Sequence, residues 1–116
     1  MYSLLILLMS LVPLGTFDSV TLQPGKSQVA FWYVNLSGKL HYKVTSKSGK
    51  NWVKAWWVKG PFGTVEGIPE LVNNGTIVFK GIVWGKLKVE AIDSETVVQV
   101  SEDARVAANF PTITFK

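Results

Sequence analysis

The sequence predicts an all-β domain, a single antiparallel β-sandwich of about seven to nine strands, Ig-like or jelly-roll-like, behind an apolar N-terminal segment. Three observations predict it. Short stretches alternating apolar and polar residues recur every 8–12 residues. Gly, Asn, Ser and Pro clusters separate them. No stretch after residue 20 has the 3.6-residue apolar period of a long amphipathic helix.

Residues Tyr2–Leu14 (YSLLILLMSLVPL) carry no charged side chain. A spanning helix needs about 20 apolar residues, whereas a run of 10–14 suits a signal-peptide core or a partial anchor. Residues 1–18 are therefore expected to be a signal peptide or membrane anchor, and residues 19–116 the sandwich. The expected location is secreted or cell-surface, with membrane contact only through the N-terminal segment.

Each later element has a local reason. Val20–Leu22 reads as a first short strand, and Gln23-Pro24-Gly25-Lys26 as a turn in which Pro presets φ and Gly accepts a positive one. Gln28–Val34 (QVAFWYV) is apolar on both faces, as in a strand covered on both sides. Asn35-Leu36-Ser37-Gly38 is expected to close a hairpin onto the next strand. There Leu40, Tyr42 and Val44 alternate with His41, Lys43 and Thr45, giving one buried and one wet face.

After the polar loop 46–51, Trp52–Lys59 (WVKAWWVK) puts Val53, Ala55 and Trp57 on one face. Trp52, Lys54, Trp56 and Val58 take the other. Tryptophan on both faces places one set outside the central core. Gly60–Gly63 reads as a turn, Thr64–Ile68 as a short strand and Pro69–Val72 as irregular chain. Asn74-Gly75 matches a type I′ hairpin turn, which wants positive φ at both central residues. Thr76–Val83 follows, with a bend expected at Gly81. The strand from Gly85 turns Leu87, Val89 and Ala91 inward and Lys86, Lys88 and Glu90 outward. Asp93–Glu95 is a turn, Thr96–Ser101 a strand, Glu102–Asn109 one or two helical turns, and Pro111–Phe115 a last extended segment. Lys59–Gly63 and Trp84–Val89 are similar to the P-x-G turn and G-x-L-x-V strand of extracellular sandwich modules, which supports the fold class and names no family.

Composition narrows the chemistry. The chain has 116 residues, no cysteine, five Trp and a formal net charge of +4. Thiolate catalysis, disulfides and cysteine-ligated zinc are excluded. The charge is uneven. Lys26 to Lys59 contains seven lysines and no acid, whereas Glu90, Asp93, Glu95, Glu102 and Asp103 crowd the last third of the chain. The lysines read as a solvated strand face that guards edges against mispairing. Lys39, Lys43 and Lys54 are the candidate basic face for an anionic partner.

No nucleophile–base pair is apparent, because the single histidine, His41, sits mid-strand on a polar face. The acids fit no EF-hand spacing, and no carboxylate pair is placed for glycoside hydrolysis. No enzyme activity, cofactor or metal is expected. Basic and aromatic residues interleave between Lys39 and Trp57, but an exported protein makes nucleic acid an implausible partner, and none is expected. Trp52, Trp56 and Trp84 are candidates for a protein interface or for stacking on sugar rings. Ile113 and Phe115 mark a tail able to join a sheet edge. Asn35 and Asn74 head N-x-Ser/Thr sequons in turn-like sequence.

The function expected is that of an exported, non-enzymatic subunit working through contacts with other protein subunits, self-association included, in a cell-surface filament or layer or an envelope complex. The alternative is a secreted carbohydrate-binding module that grips polysaccharide with exposed tryptophans.

Overall fold

A computed structural model of the protein describes residues 18–35, 38–59, 65–79 and 83–115. The expected leader, the turns at 36–37 and 60–63, and Gly81 lie outside the described residues.

Among the described residues, eight strands form two antiparallel four-stranded sheets. They are β1 (Asp18–Leu22), β2 (Ser27–Asn35), β3 (Lys39–Ser46), β4 (Trp52–Lys59), β5 (Val65–Val72), β6 (Asn74–Val78), β7 (Val83–Ala91) and β8 (Thr96–Ser101). A short helix, α1 (Ala104–Ala108), follows β8. The first sheet has the order β1-β8-β3-β6 and the second β2-β7-β4-β5.

The period-2 pattern places the core between the sheets. Leu40, Val44, Val98 and Val100 of the first sheet meet Val53, Ala55, Trp57, Leu87, Val89 and Ala91 of the second. Each fully buried large aliphatic side chain contributes about 1.5–3 kcal/mol over leaving it in water. The Trp57 ring lies 4.7 Å from that of Phe79, centroid to centroid. Gly85 marks a close backbone approach, because a Cβ there would run into the Val58 carbonyl of the neighbouring strand.

β8 is buried along its whole length. Its inner residues Thr96, Val98 and Val100 face the second sheet. Val97, Gln99 and Ser101 point to the opposite face, which the C-terminal segment helps to cover: α1 packs on β3 and β8, and Gln99 Nε2 donates to the Pro111 carbonyl at 3.1 Å. Phe110 is also buried.

Three local expectations change. The segment 35–38 is not a same-sheet hairpin, since β2 pairs with β7 while β3 pairs with β8 and β6. Pro69–Val72 is strand rather than irregular chain. It belongs to β5, an edge strand with a register shift against β4 between Val53 and Ala55, and an edge tolerates the missing proline N–H. Asn74-Gly75 is not a turn. Both residues are in β6, opposite Lys43 and Tyr42. The crossing between sheets falls one residue earlier, at Asn73, with φ of 58°. The Asn73 amide donates to Asn51 O at 2.8 Å and its carbonyl accepts from the Val44 amide at 2.6 Å, so tertiary hydrogen bonds hold the crossing there. At Gly75 a Cβ would sit 2.7 Å from the Tyr42 hydroxyl, so any larger residue displaces the Tyr42 side chain.

The extended segment expected at Pro111–Phe115 joins neither sheet. It carries no strand assignment, and Ile113 and Phe115 are half-buried.

Candidate functional site

The outer face of the second sheet carries two half-buried tryptophans, Trp52 and Trp56. β4 alternation turns Trp52, Lys54, Trp56 and Val58 away from the core, and all four are exposed or half-buried while Val53, Ala55 and Trp57 are buried. Register places Lys88 of β7 on one side of Trp56 and Gly67 of β5 on the other. The Lys88 ammonium lies 5.4 Å from the Trp56 ring centroid, and Lys50 Nζ lies 5.7 Å from that of Trp52. Such cation–π contacts are worth about 0.5–1 kcal/mol at exposed sites. Lys54 stands opposite Glu90, and Lys86 opposite Val58. On the β5 side the surface is apolar and open. Val65 is 60% and Val72 42% exposed, and a Cβ on Gly67 would meet nothing within 4 Å.

Trp84 lies on β7 opposite Val34, with its side chain outside the described residues. Lys54 shares this outer face with Trp52 and Trp56. Lys39 and Lys43 do not: they lie on β3, in the other sheet, and their alternation with buried Leu40 and Val44 turns them to its outer face. The three lysines are therefore divided between the two outer surfaces of the sandwich.

On the first sheet, His41, Lys43, Asn74 and Thr76 line a groove of about 500 Å³ roofed by Ala104, Ala107 and Phe110. His41 Nδ1 is 2.9 Å from Thr76 Oγ1. The sequon at Asn74 thus lies in a paired strand, with Asn74 exposed. Asn35 ends β2, its side chain outside the described residues.

The acids separate along the chain. Asp93 and Glu95 border the turn before β8, and Glu102 and Asp103 lie beyond its other end, about 20 Å away at the strand rise. Among the described residues no three His, Asp or Glu side chains are placed to hold a metal ion. The turn before β8 instead binds the lysine-rich loop of the same molecule. Lys47 N donates to Glu95 O at 2.8 Å, Ser48 Oγ donates to Asp93 Oδ1 at 3.1 Å, and Lys50 Nζ lies 3.9 Å from Asp93 Oδ2. Part of the charge asymmetry of the sequence is thereby cancelled within one chain.

Asp103 caps α1. Its Oδ1 accepts from the Arg105 amide at 2.8 Å, which with the nearby Arg105 side chain holds its carboxyl below the usual range. Burial pushes Asp18 the other way, above the usual range, against a hydrogen bond from the Ser19 amide.

Alternation alone puts Trp52, Lys54 and Trp56 on one face, but not Lys88 or Gly67 beside Trp56. Those depend on which strands are neighbours, and only register supplies that. No family model matches the chain, and no curated protein matches it.

Proposed function

We propose that the chain is an exported, non-enzymatic β-sandwich subunit that works by pairing strands with other copies of itself, in a cell-surface filament or layer or as an accessory subunit of an envelope complex. The observation that carries this reading is an unmatched pair of features. The segment Pro111–Phe115 (PTITF) is β-prone yet joins neither sheet. Among the described strands β2 lies at an edge, nine residues, SQVAFWYVN, without a charge or a proline. Edges are normally protected by charge, proline or shortness, and an unprotected one is a template for another chain. β5, by contrast, carries Pro69 and Glu70, and β1 and β6 are five residues each. A tail strand laid along β2 of a neighbour would be β-augmentation between molecules. The apolar leader supplies the export that a surface subunit needs.

The strand order favours the jelly-roll alternative over the Ig-like one. Of the seven steps between described strands, six change sheet, and β4 to β5 alone is a hairpin within one. This arrangement serves structural and sugar-binding proteins alike, so the function is argued from the edge and tail.

The test is native mass. Truncation after Pro111 keeps Phe110 and the carbonyl that Gln99 grips, so the sandwich is retained. Under this reading the unmutated chain assembles, while the truncated chain and Trp32→Lys in β2 stay monomeric. An unmutated chain that is monomeric, or a truncated chain that forms the same oligomer, overturns strand donation by the tail.

A further inference from the structure

The outer face of the first sheet holds a groove that the chain does not fill. Two rungs of the β3–β6 pair make its floor: Lys43 stands directly opposite Asn74, and His41 opposite Thr76. Alternation with buried Leu40 and Val44 turns His41 and Lys43 away from the core. α1 meets this floor with alanine. Ala104 and Ala107 form the roof, and buried Phe110 pins the far end of the helix. Larger side chains there would close the gap, whereas methyl groups leave about 500 Å³, within the ~300–1,000 Å³ range of small-molecule sites.

The lining is polar along the floor and contains no carboxylate. Lys43 is half-buried, and among the described residues its ammonium has no hydrogen-bond or ion-pair partner. A cation held partly out of water without a partner is unfavourable, and a bound anion relieves that. Asp103, the residue before Ala104, does not serve: it is engaged as the helix cap with the Arg105 amide at 2.8 Å and the Arg105 side chain at 3.5 Å. His41 Nδ1 is held 2.9 Å from Thr76 Oγ1, so the ring is fixed and its Nε2 stays available to a ligand. Asn74 is exposed beside it.

We propose that this groove binds a small hydroxylated carboxylate, a single sugar acid of the hexuronate class. The carboxylate pairs with Lys43 through charge-assisted hydrogen bonds. The hydroxyls exchange hydrogen bonds with Asn74 and His41, and the C–H face of the ring lies under Ala104 and Ala107. Lys43 and His41 are two positions apart on β3, about 7 Å at the strand rise, the reach of one sugar ring with its carboxylate. The site lies on the face of the first sheet and does not depend on strand donation along β2.

The experiment is titration of the full chain, in mild detergent, with D-glucuronate, D-glucose or inorganic phosphate, followed by amide and imidazole chemical shifts. Glucuronate is expected to give saturable shifts at His41, Lys43, Asn74 and Ala107, with glucose and phosphate at least tenfold weaker. Ala107→Leu fills the groove from its roof and weakens glucuronate binding about tenfold or more, a change of about 1.4 kcal/mol. Lys43→Met removes the cation from the floor and does the same independently should Ala107→Leu fail to fold, a point settled by its circular dichroism melting curve. Lys54→Gln, on the other sheet, leaves binding unchanged. The proposal is overturned if glucuronate gives no saturable shifts at these residues, or if glucose binds as tightly, which would remove the role of Lys43. It also fails if phosphate binds as tightly, which would make the groove a bare anion site, or if a folded Ala107→Leu binds as before, which would place the ligand elsewhere.

Discussion

The two sheets bury their inner faces alike and differ in what lies on their outer ones. In the first, every residue of β8 is buried, because α1 and Phe110 close over the sheet and Gln99 is tied to Pro111. In the second, β4 has the same inward pattern, yet its outward Trp52, Lys54 and Trp56 stay in reach of solvent. The contrast shows that one covered face needs only alternation, whereas the second face is settled by what the rest of the chain lays over it. The sequences agree with this: β8 (TVVQVS) carries no charge, and β4 carries two lysines.

The largest effect that separates the regions is expected within β4 itself. Trp57→Ala should cost about 3–5 kcal/mol, as for other fully buried aromatics, while Trp56→Ala should cost about 1 kcal/mol or less, as a substitution on an outer surface does. Urea denaturation of the two variants measures the difference, and equal losses would make the outer face part of the core. Next comes a pair of glycines. Gly85→Ala forces a methyl against the Val58 backbone, where nothing can yield, and should cost about 3 kcal/mol. Gly67→Ala enters open space and should be neutral or stabilise by about 0.5–1 kcal/mol. Thermal melts compare them.

A smaller effect tests the C-terminal cover. Gln99 Nε2 is bonded, but its Oε1 is buried without a partner. Gln99→Leu removes one bond and one unsatisfied oxygen together, so global stability should move by no more than about 1 kcal/mol. Amide exchange in α1 should nevertheless quicken, because its tie to Pro111 is gone. Unchanged exchange would mean that Phe110 alone holds the cover.

The smallest effect is acid dependence at α1. The Asp103 carboxyl titrates below its unfolded value, so its contribution is present above about pH 4 and is lost as pH falls through the depressed folded pKa. Asp18 has the opposite sign. Its raised folded pKa favours the native state below its unfolded value, and that contribution disappears as pH rises through the folded pKa. Acid titration followed by amide chemical shifts should show fraying at Arg105 that is absent in Asp103→Ala, with no matching loss at β1.

Much of the fold was legible locally. The bounds of β4 and β8, the inward set Leu87, Val89 and Ala91, and the short helix after Ser101 follow from period and turn chemistry. What was not legible needed long-range pairing. Asn74-Gly75 has the composition of a turn, but Tyr42 lies across Gly75 and β3 claims both residues as strand. Pro69 reads as a breaker until β5 is known to be an edge. Of the candidate site, the tryptophans were readable from alternation. The division of Lys39 and Lys43 from Lys54 depended on which sheet each strand joins.

The pairing of β1 with β8 has a consequence for how the chain is made. β1, the first of the described strands, finds its partner only when β8 has followed, nearly eighty residues later. Until then the first sheet cannot close, and its remaining members come from segments far apart in the sequence, a connectivity that folds slowly. A nascent chain with this delay built into its topology keeps its first sheet open, and the edges of β3 and β6 exposed, until β8 has been made.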